Sequence, residues 1–254
     1  MEASFVIAFA SPRLDNLLQT LRFLVLNHAE TIKNCELVSI CQDSCDLEVY
    51  GFKRHQQHNL NVECMQLPHL TNFGVAQCTS DKIIVLESDR ILPNGYFAQV
   101  IEQLAPGVQI TARNVLKLDK PYTDEEIISG SFQFKSEPRT ETNEIGTRNM
   151  WSGNTAFMKP DFEKAGKMDE EYKGYGWADN DMTATMEKAG VKSIFRTETE
   201  LHLWHPGATY GKGDQEKMFI DNGTRFCKKW NKPIPLWLRE RMAEHKSRSR
   251  MSFI

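Results

Sequence analysis

"KIIVLESD", residues 82–89, is a run of β-favouring apolar side chains that ends in two carboxylates. Such a run reads as a buried strand whose carboxyl end opens into polar surroundings. Upstream, "NFGVAQCTS" (72–80) reads as a short helix, "LNVECMQL" (60–67) as a strand and "CELVSICQDS" (35–44) as another strand ending in a polar loop. Before these come "RLDNLLQTLRFLVLNHAE" (13–30), with leucines at helical spacing, and the apolar run "SFVIAF" (4–9). Downstream, "NGYFAQVIEQLA" (94–105) is a helix with Gly107 just past its end, and "VQITARNV" (108–115) is a strand. Strand and helix in alternation predict an α/β fold, a mixed but mainly parallel sheet flanked by helices. In such sheets ligands sit beyond the carboxyl ends of the strands, which is where "CQDS" and "LESD" fall.

The 254 residues, 40% hydrophobic and 26% charged, suit one large domain. A net charge of −3 gives no general drive toward nucleic acid. Six scattered cysteines without C-x-x-C pairs, and an N-terminus with no basic region, lead us to expect reduced thiols and a cytoplasmic protein. From Arg225 onward nine Lys/Arg face two Glu, so this segment carries +7 and the rest of the chain −10. With Trp230, Leu236, Trp237 and Leu238 the basic segment could lie on an anionic membrane; a solvated helix with a frayed tail is the plainer reading. Residues 118–148 are polar, proline-containing and read as a long irregular segment, which inside a compact domain is usually functional or disordered. Regular signals resume at "MWSGNTAFMK" (150–159) and "PDFEKAG" (160–166), the latter a short helix opened by proline.

Three places can carry chemistry. Glu87 and Asp89 stand two apart at a strand end, so both point to one side and offer oxygen ligands suited to Mg²⁺ or Mn²⁺. An isolated E-x-D is also an ordinary acidic loop. "ADNDMTATMEKAG" (178–190) places Asp179, Asn180 and Asp181 at the start of a helix that stops at Gly190. Carboxylates there stabilise the helix dipole, and an ionised one could equally act as a general base. "LHLWHPG" (201–207) holds His202 and His205. Three apart on a strand they would not share a face, so only one is expected to reach a given metal.

In this order the segments resemble GT-A fold glycosyltransferases. The first half is similar to the large inverting family two. The second half is similar to the β-1,4-galactosyltransferases, chondroitin polymerases and polypeptide N-acetylgalactosaminyltransferases. Glu87-Ser88-Asp89 matches the family's D-x-D, and Asp43 its base-contacting acid. "WSGNTAFMKPDFEKAGKMDEEYKGYGWADNDM" (151–182) matches its "GFDExYxGWGxEDxDL" block, and "HLWHPG" its closing metal histidine. The likeness covers about residues 4–210. It implies a nucleotide-sugar transferase with a nucleotide-binding half at 1–117, an acceptor half at 118–210 and a basic extension at 211–254. Ala10, Arg13, Asp43, Glu87, Ser88 and Asp89 would bind a nucleotide-sugar, with UDP favoured. Asp89, His205 and His202 would hold a divalent metal, Mn²⁺ preferred and Mg²⁺ the alternative. Asp179 would be the base. Trp151, Gly153, Tyr175, Gly176, Trp177 and Asp181 would meet a glycan, glycolipid or glycoprotein acceptor.

The chain departs from the pattern at Glu87, where the family has Asp, at Ala178, where it has Glu, and at Trp177, where it has Gly. A nucleotide-sugar pyrophosphorylase would share the fold, but "FASPRLDN" (9–16) lacks the glycine-rich loop that activity needs. A retaining transferase and a catalytically silent binding module stay open as alternatives.

Overall fold

A computed structural model describes residues 1–62, 66–136, 150–151, 153–206 and 214–251. The chain opens with β1 (Ser4–Phe9), a 3-10 turn (Ser11–Arg13) and α1 (Leu14–Ile32), followed by β2 (Glu36–Cys41), β3 (Arg54–Asn59), α2 (Leu67–Gln77) and β4 (Lys82–Leu86). Then come β5 (Arg90–Ile91), α3 (Tyr96–Gln103), β6 (Val108–Leu118), α4 (Asp124–Ser129), β7 (Phe134–Ser136), β8 (Thr155–Met158) and α5 (Lys159–Ala165). The series closes with α6 (Ala178–Lys188), β9 (Lys192–His202), α7 (Gln215–Lys229) and α8 (Leu236–Met251).

The strands form a single mixed sheet of order β3-β2-β1-β4-β8-β6-β9-β5, with β7 paired to β6 off this path. β3, β2, β1 and β4 run parallel. β8 is antiparallel to both β4 and β6, while β6 and β9 are parallel again. Alternation along the strands builds two cores. Phe5, Ile7 and Phe9 pack with α1 and α3 on one face. Val6, Val38 and Ile40 pack with Leu70 and Val75 of α2, Phe162 of α5 and Met182 of α6 on the other.

Two expectations are corrected. The third strand is Arg54–Asn59, not 60–67. Leu60–Val62 are outside any strand, and 63–65 lie outside the described residues. β3 is the sheet edge and has one strand neighbour, so the polar sequence "RHQQHN" pairs through its backbone without an apolar run to announce it. Within 118–148, α4 is a regular helix: Thr123 accepts from the Glu126 amide and the Glu126 carboxylate accepts from the Thr123 amide, a complete capping box. Residues 137–149 lie outside the described residues.

Among the described residues no helix is long and apolar enough to cross a membrane. The C-terminal apolar residues divide. Leu238 is fully buried and Trp230 packs in the same cluster, while Leu236 stays exposed.

Candidate active site

β4 ends at Leu86, and the chain turns through Glu87, Ser88 and Asp89 into the short β5. β5 pairs antiparallel with the end of β9, setting Arg90 opposite His202, and the Leu203 amide donates to the Asp89 carbonyl at 2.9 Å. This pairing brings the acidic turn against the histidines. His205 Nε2 lies 3.2 Å and His202 Nε2 3.6 Å from Asp89 Oδ2, and the two Nε2 atoms are 3.1 Å apart.

Both histidines therefore converge on one point, against the expectation that only one would. The alternation argument fails because β9 stops at His202, so His205 is carried back by the turn that follows. His205 Nδ1 lies 3.0 Å from the Pro206 carbonyl, a contact that fits an Nδ1–H donor and leaves Nε2 to serve as a ligand. One carboxylate oxygen and two imidazole nitrogens, all within 4.8 Å of one another, form a donor set that fits a divalent transition metal.

Charge in the turn is layered. Burial opposes ionisation of Asp89, but hydrogen bonding to His202 and His205, with the charge of Arg90, holds its carboxyl well below the usual range. Burial also pushes the His202 imidazole down, against the pull of Asp89. Glu87 is pushed up to about 8, first by burial and then by the nearby charges of Asp89 and Asp179. A bound divalent cation would reverse that last effect. Arg90 reaches Asp89 Oδ1 at 3.5 Å and the fully buried Glu200 at 3.4 Å. Asn154 spans 3.5 Å from its Nδ2 to Glu200 and accepts the Glu87 amide at 2.9 Å. Sequence reasoning passed over Arg90, Asn154 and Glu200. A signal existed for Glu200, which stands two residues before His202 on one strand and so shares its face.

In front of the turn lies a cleft with roughly 780 Å³ of open space. Ala10 and Arg13 from the β1–α1 turn, Glu87, Ser88 and Asp89, and Tyr175, Gly176 and Asp179 all line it. Asp43 stands behind the first of these walls, where its Oδ1 accepts from the Ser11 amide at 3.0 Å and from Cys41 Sγ at 3.0 Å. Burial resists its ionisation, and those hydrogen bonds hold its pKa down. Asp179 sits in the first turn of α6, where its carboxylate faces the helix dipole favourably.

Four expected acceptor residues are elsewhere. Trp151 is 4% exposed, clustered with Phe157 and Phe162 in the core and bonded through Nε1 to Gln109 at 3.0 Å, and it does not line the cleft. Trp177 is buried beneath α7 and α8, stacked on Trp237 at 5.9 Å. Asp181 is 2% exposed and accepts from Lys229 Nζ and Trp230 Nε1, each at 2.7 Å, which makes it an anchor for the C-terminal helices. Gly153 is buried behind the turn, where its carbonyl accepts from Thr155.

No family model matches the chain, and no curated protein matches it in sequence. Solved structures do. GalNAc-T7 crystallised with UDP, GalNAc and Mn²⁺ superposes with a TM-score of 0.63 at 13% identity, over 89% of this chain and 47% of that one. S. aureus TarS with UDP-GlcNAc gives 0.54 at 9% identity, over 89% and 67% of the two chains. The Drosophila β1,4-galactosyltransferase 7 catalytic domain with xylobiose gives 0.52 at 12% identity, over 86% and 79%. The chain has a GT-A glycosyltransferase fold. It spans about half the length of the GalNAc-T7 chain it matches.

Proposed function

We propose that this GT-A protein is a metal-dependent glycosyltransferase that moves a sugar from a UDP-sugar to a hydroxyl of a glycan, glycolipid or glycoprotein, with inversion at the anomeric carbon. The observation that carries the reading is the convergence of Asp89, His202 and His205 beside a cleft that also presents Asp179. Three structural neighbours support the donor class, having been crystallised with UDP, GalNAc and Mn²⁺, with UDP-GlcNAc, and with manganese, UDP-Gal and xylobiose.

Asp89, His202 and His205 would hold the ion, and Mn²⁺ suits this mixed oxygen and nitrogen set at least as well as Mg²⁺. When bound, such an ion neutralises the charge that develops on a diphosphate leaving group. The protein's own residues do the rest. Ala10 and Arg13 bind the nucleotide, Asp43 braces the turn that carries them, and Tyr175 and Gly176 face the sugar. Asp179 takes the proton from the acceptor hydroxyl, a role worth about 10²–10⁴-fold in rate. Product anomericity, read by NMR, tests the inverting assignment; retention would remove Asp179 from the role of base.

The deciding experiment is calorimetric titration of UDP with Mn²⁺ and with EDTA, on the wild type and on Asp89→Ala. Binding that needs the metal and is lost in the variant is expected. Binding unaffected by either EDTA or the substitution would overturn the metal site. UDP binding by a protein that turns over no UDP-sugar would favour a silent binding module. Peripheral membrane contact through the basic C-terminal segment belongs to the same proposal, and failure to co-sediment with anionic vesicles at low salt would remove it.

A further inference from the structure

Gln215, Met218, Phe219 and Asn222 are spaced three and four apart on α7, so they lie on one side of the helix. All four lie against the turn at 173–176, the part of the cleft wall that carries Tyr175. Asn222 is at the centre, 4% exposed. Its Nδ2 donates to the carbonyls of Lys173, Gly176 and Tyr175 at 2.8, 3.2 and 3.3 Å, and its Oδ1 accepts from the Lys173 amide at 3.4 Å. One side chain thus gathers the backbone of the whole turn.

The helix surface around Asn222 is fitted to the same backbone. Gly174 and Gly176 have φ of +67° and +88°. A Cβ on Gly174 would stand 2.7 Å from Met218 Sδ, and one on Gly176 would stand 2.6 Å from Phe219 Cδ2. The Phe219 ring stacks on Tyr175 at 6.1 Å and 18°. Farther along, Lys229 and Trp230 grip Asp181. Asp179 lies in sequence between these two grips, so the C-terminal helix reaches both sides of the residue read as the base.

We infer that α7 is a template for the cleft wall and that Asn222 is a positioning residue of this enzyme. It sets where the 173–176 backbone and Tyr175 meet the transferred sugar, and through that turn where α6 presents Asp179. The catalytic consequence rests on the function proposed above; the shaping of the turn does not. Of the basic segment that begins at Arg225, Lys229 and Trp230 belong to the same scaffold through Asp181.

Asn222→Asp tests this, because it keeps the shape and replaces the donating amide with a carboxylate that repels three carbonyls. Three quantities are read on the full chain. They are UDP affinity with Mn²⁺, hydrogen exchange of the 174–177 amides, and UDP release from UDP-GlcNAc, UDP-GalNAc and UDP-Gal in water. UDP affinity is expected to hold and exchange in the turn to quicken. The kcat of UDP release should fall by roughly 10–100-fold, the scale that an ångström of misplacement costs. Faster exchange with unchanged kcat would overturn the positioning role, and unchanged exchange would overturn the template itself. A wild type that neither binds UDP nor releases it would sink the proposed function, while the exchange comparison would still decide the template. If the Asp variant does not fold, Asn222→Ser, which keeps a single donor, is read by the same three measures.

Discussion

Trp177 holds φ at +73°, a left-handed backbone uncommon for a bulky residue. Aligned through Gly174, Gly176 and Asp179, the matched block has its glycine at 176 and leaves 177 open, so the expected loss of a glycine here is corrected. Packing keeps it there: the indole lies against Phe226 and Trp237, and a Cβ on Gly223 would meet its ring at 2.8 Å. Two opposed effects act at this position, so substitutions separate them. Trp177→Ala empties the site and is expected to cost about 3–5 kcal/mol of stability. Trp177→Gly leaves nearly the same cavity but relieves the strained φ, so it should cost less than the alanine variant despite having the smaller side chain. Urea denaturation of both gives the order. The reverse order would mean that the backbone at 177 carries no strain. The tryptophan was visible in the sequence, but its sense was not. A tryptophan between two glycines and an acidic helix start suggests a pocket wall, and only the packing of α7 and α8 against it shows it to be core.

At the scale of elements, α2 shows how much a helix can depend on close approach. Pro68 opens it, and Gly74 faces the sheet so tightly that an added Cβ would clash with Ile40 and stand 2.6 Å from Val6 Cγ1. Val6 is stiff at χ1 and fully buried, so it cannot turn aside cheaply. Gly74→Ala is therefore expected to destabilise by about 1–3 kcal/mol, through overpacking and in spite of alanine's better helix propensity. A thermal melt at or above the wild-type midpoint would show that the layers can separate without cost. The same elements mark what was legible. β1, β2 and β4 are buried on both faces and announce themselves as apolar runs, and α1 by its helical spacing of leucines. β3 is an edge strand held by backbone pairing alone, so no hydrophobic pattern points to it. The histidine pair failed for a related reason: strand alternation was applied across Leu203 and Trp204, beyond the last residue of β9.

Over the whole molecule, buried ionisable groups outside the cleft make folding depend on pH. His28 sits in α1, 4% exposed, against Phe97 of α3, and burial pushes its pKa from 6.5 down to about 4. Glu36, fully buried in β2, accepts from Ser4 and Thr79; burial opposes its ionisation, but those bonds hold its pKa below 4.5. Both shifts have the same sign for stability. In the range between about 6.5 and 4 the unfolded chain takes a proton on His28 that the folded chain refuses, so stability falls as pH falls through that window. Glu36 acts lower: its contribution is present above 4.5 and is lost only as acid drives the folded carboxylate to protonate. The two windows barely overlap. The raised Glu87 acts in the His28 window with the opposite sign, and the lowered His202 and His55 with the same sign, so the His28 part is read as the difference between wild type and variant. Between about pH 7 and pH 5, His28 should account for about 2 kcal/mol of lost stability. His28→Leu is expected to remove most of that pH dependence while leaving the acid limb below about pH 4 in place. Urea midpoints of both proteins at three pH values measure it. A variant that loses as much stability as the wild type between pH 7 and 5 would place the acid sensitivity elsewhere, and the histidines beside Asp89 would be the next groups to examine.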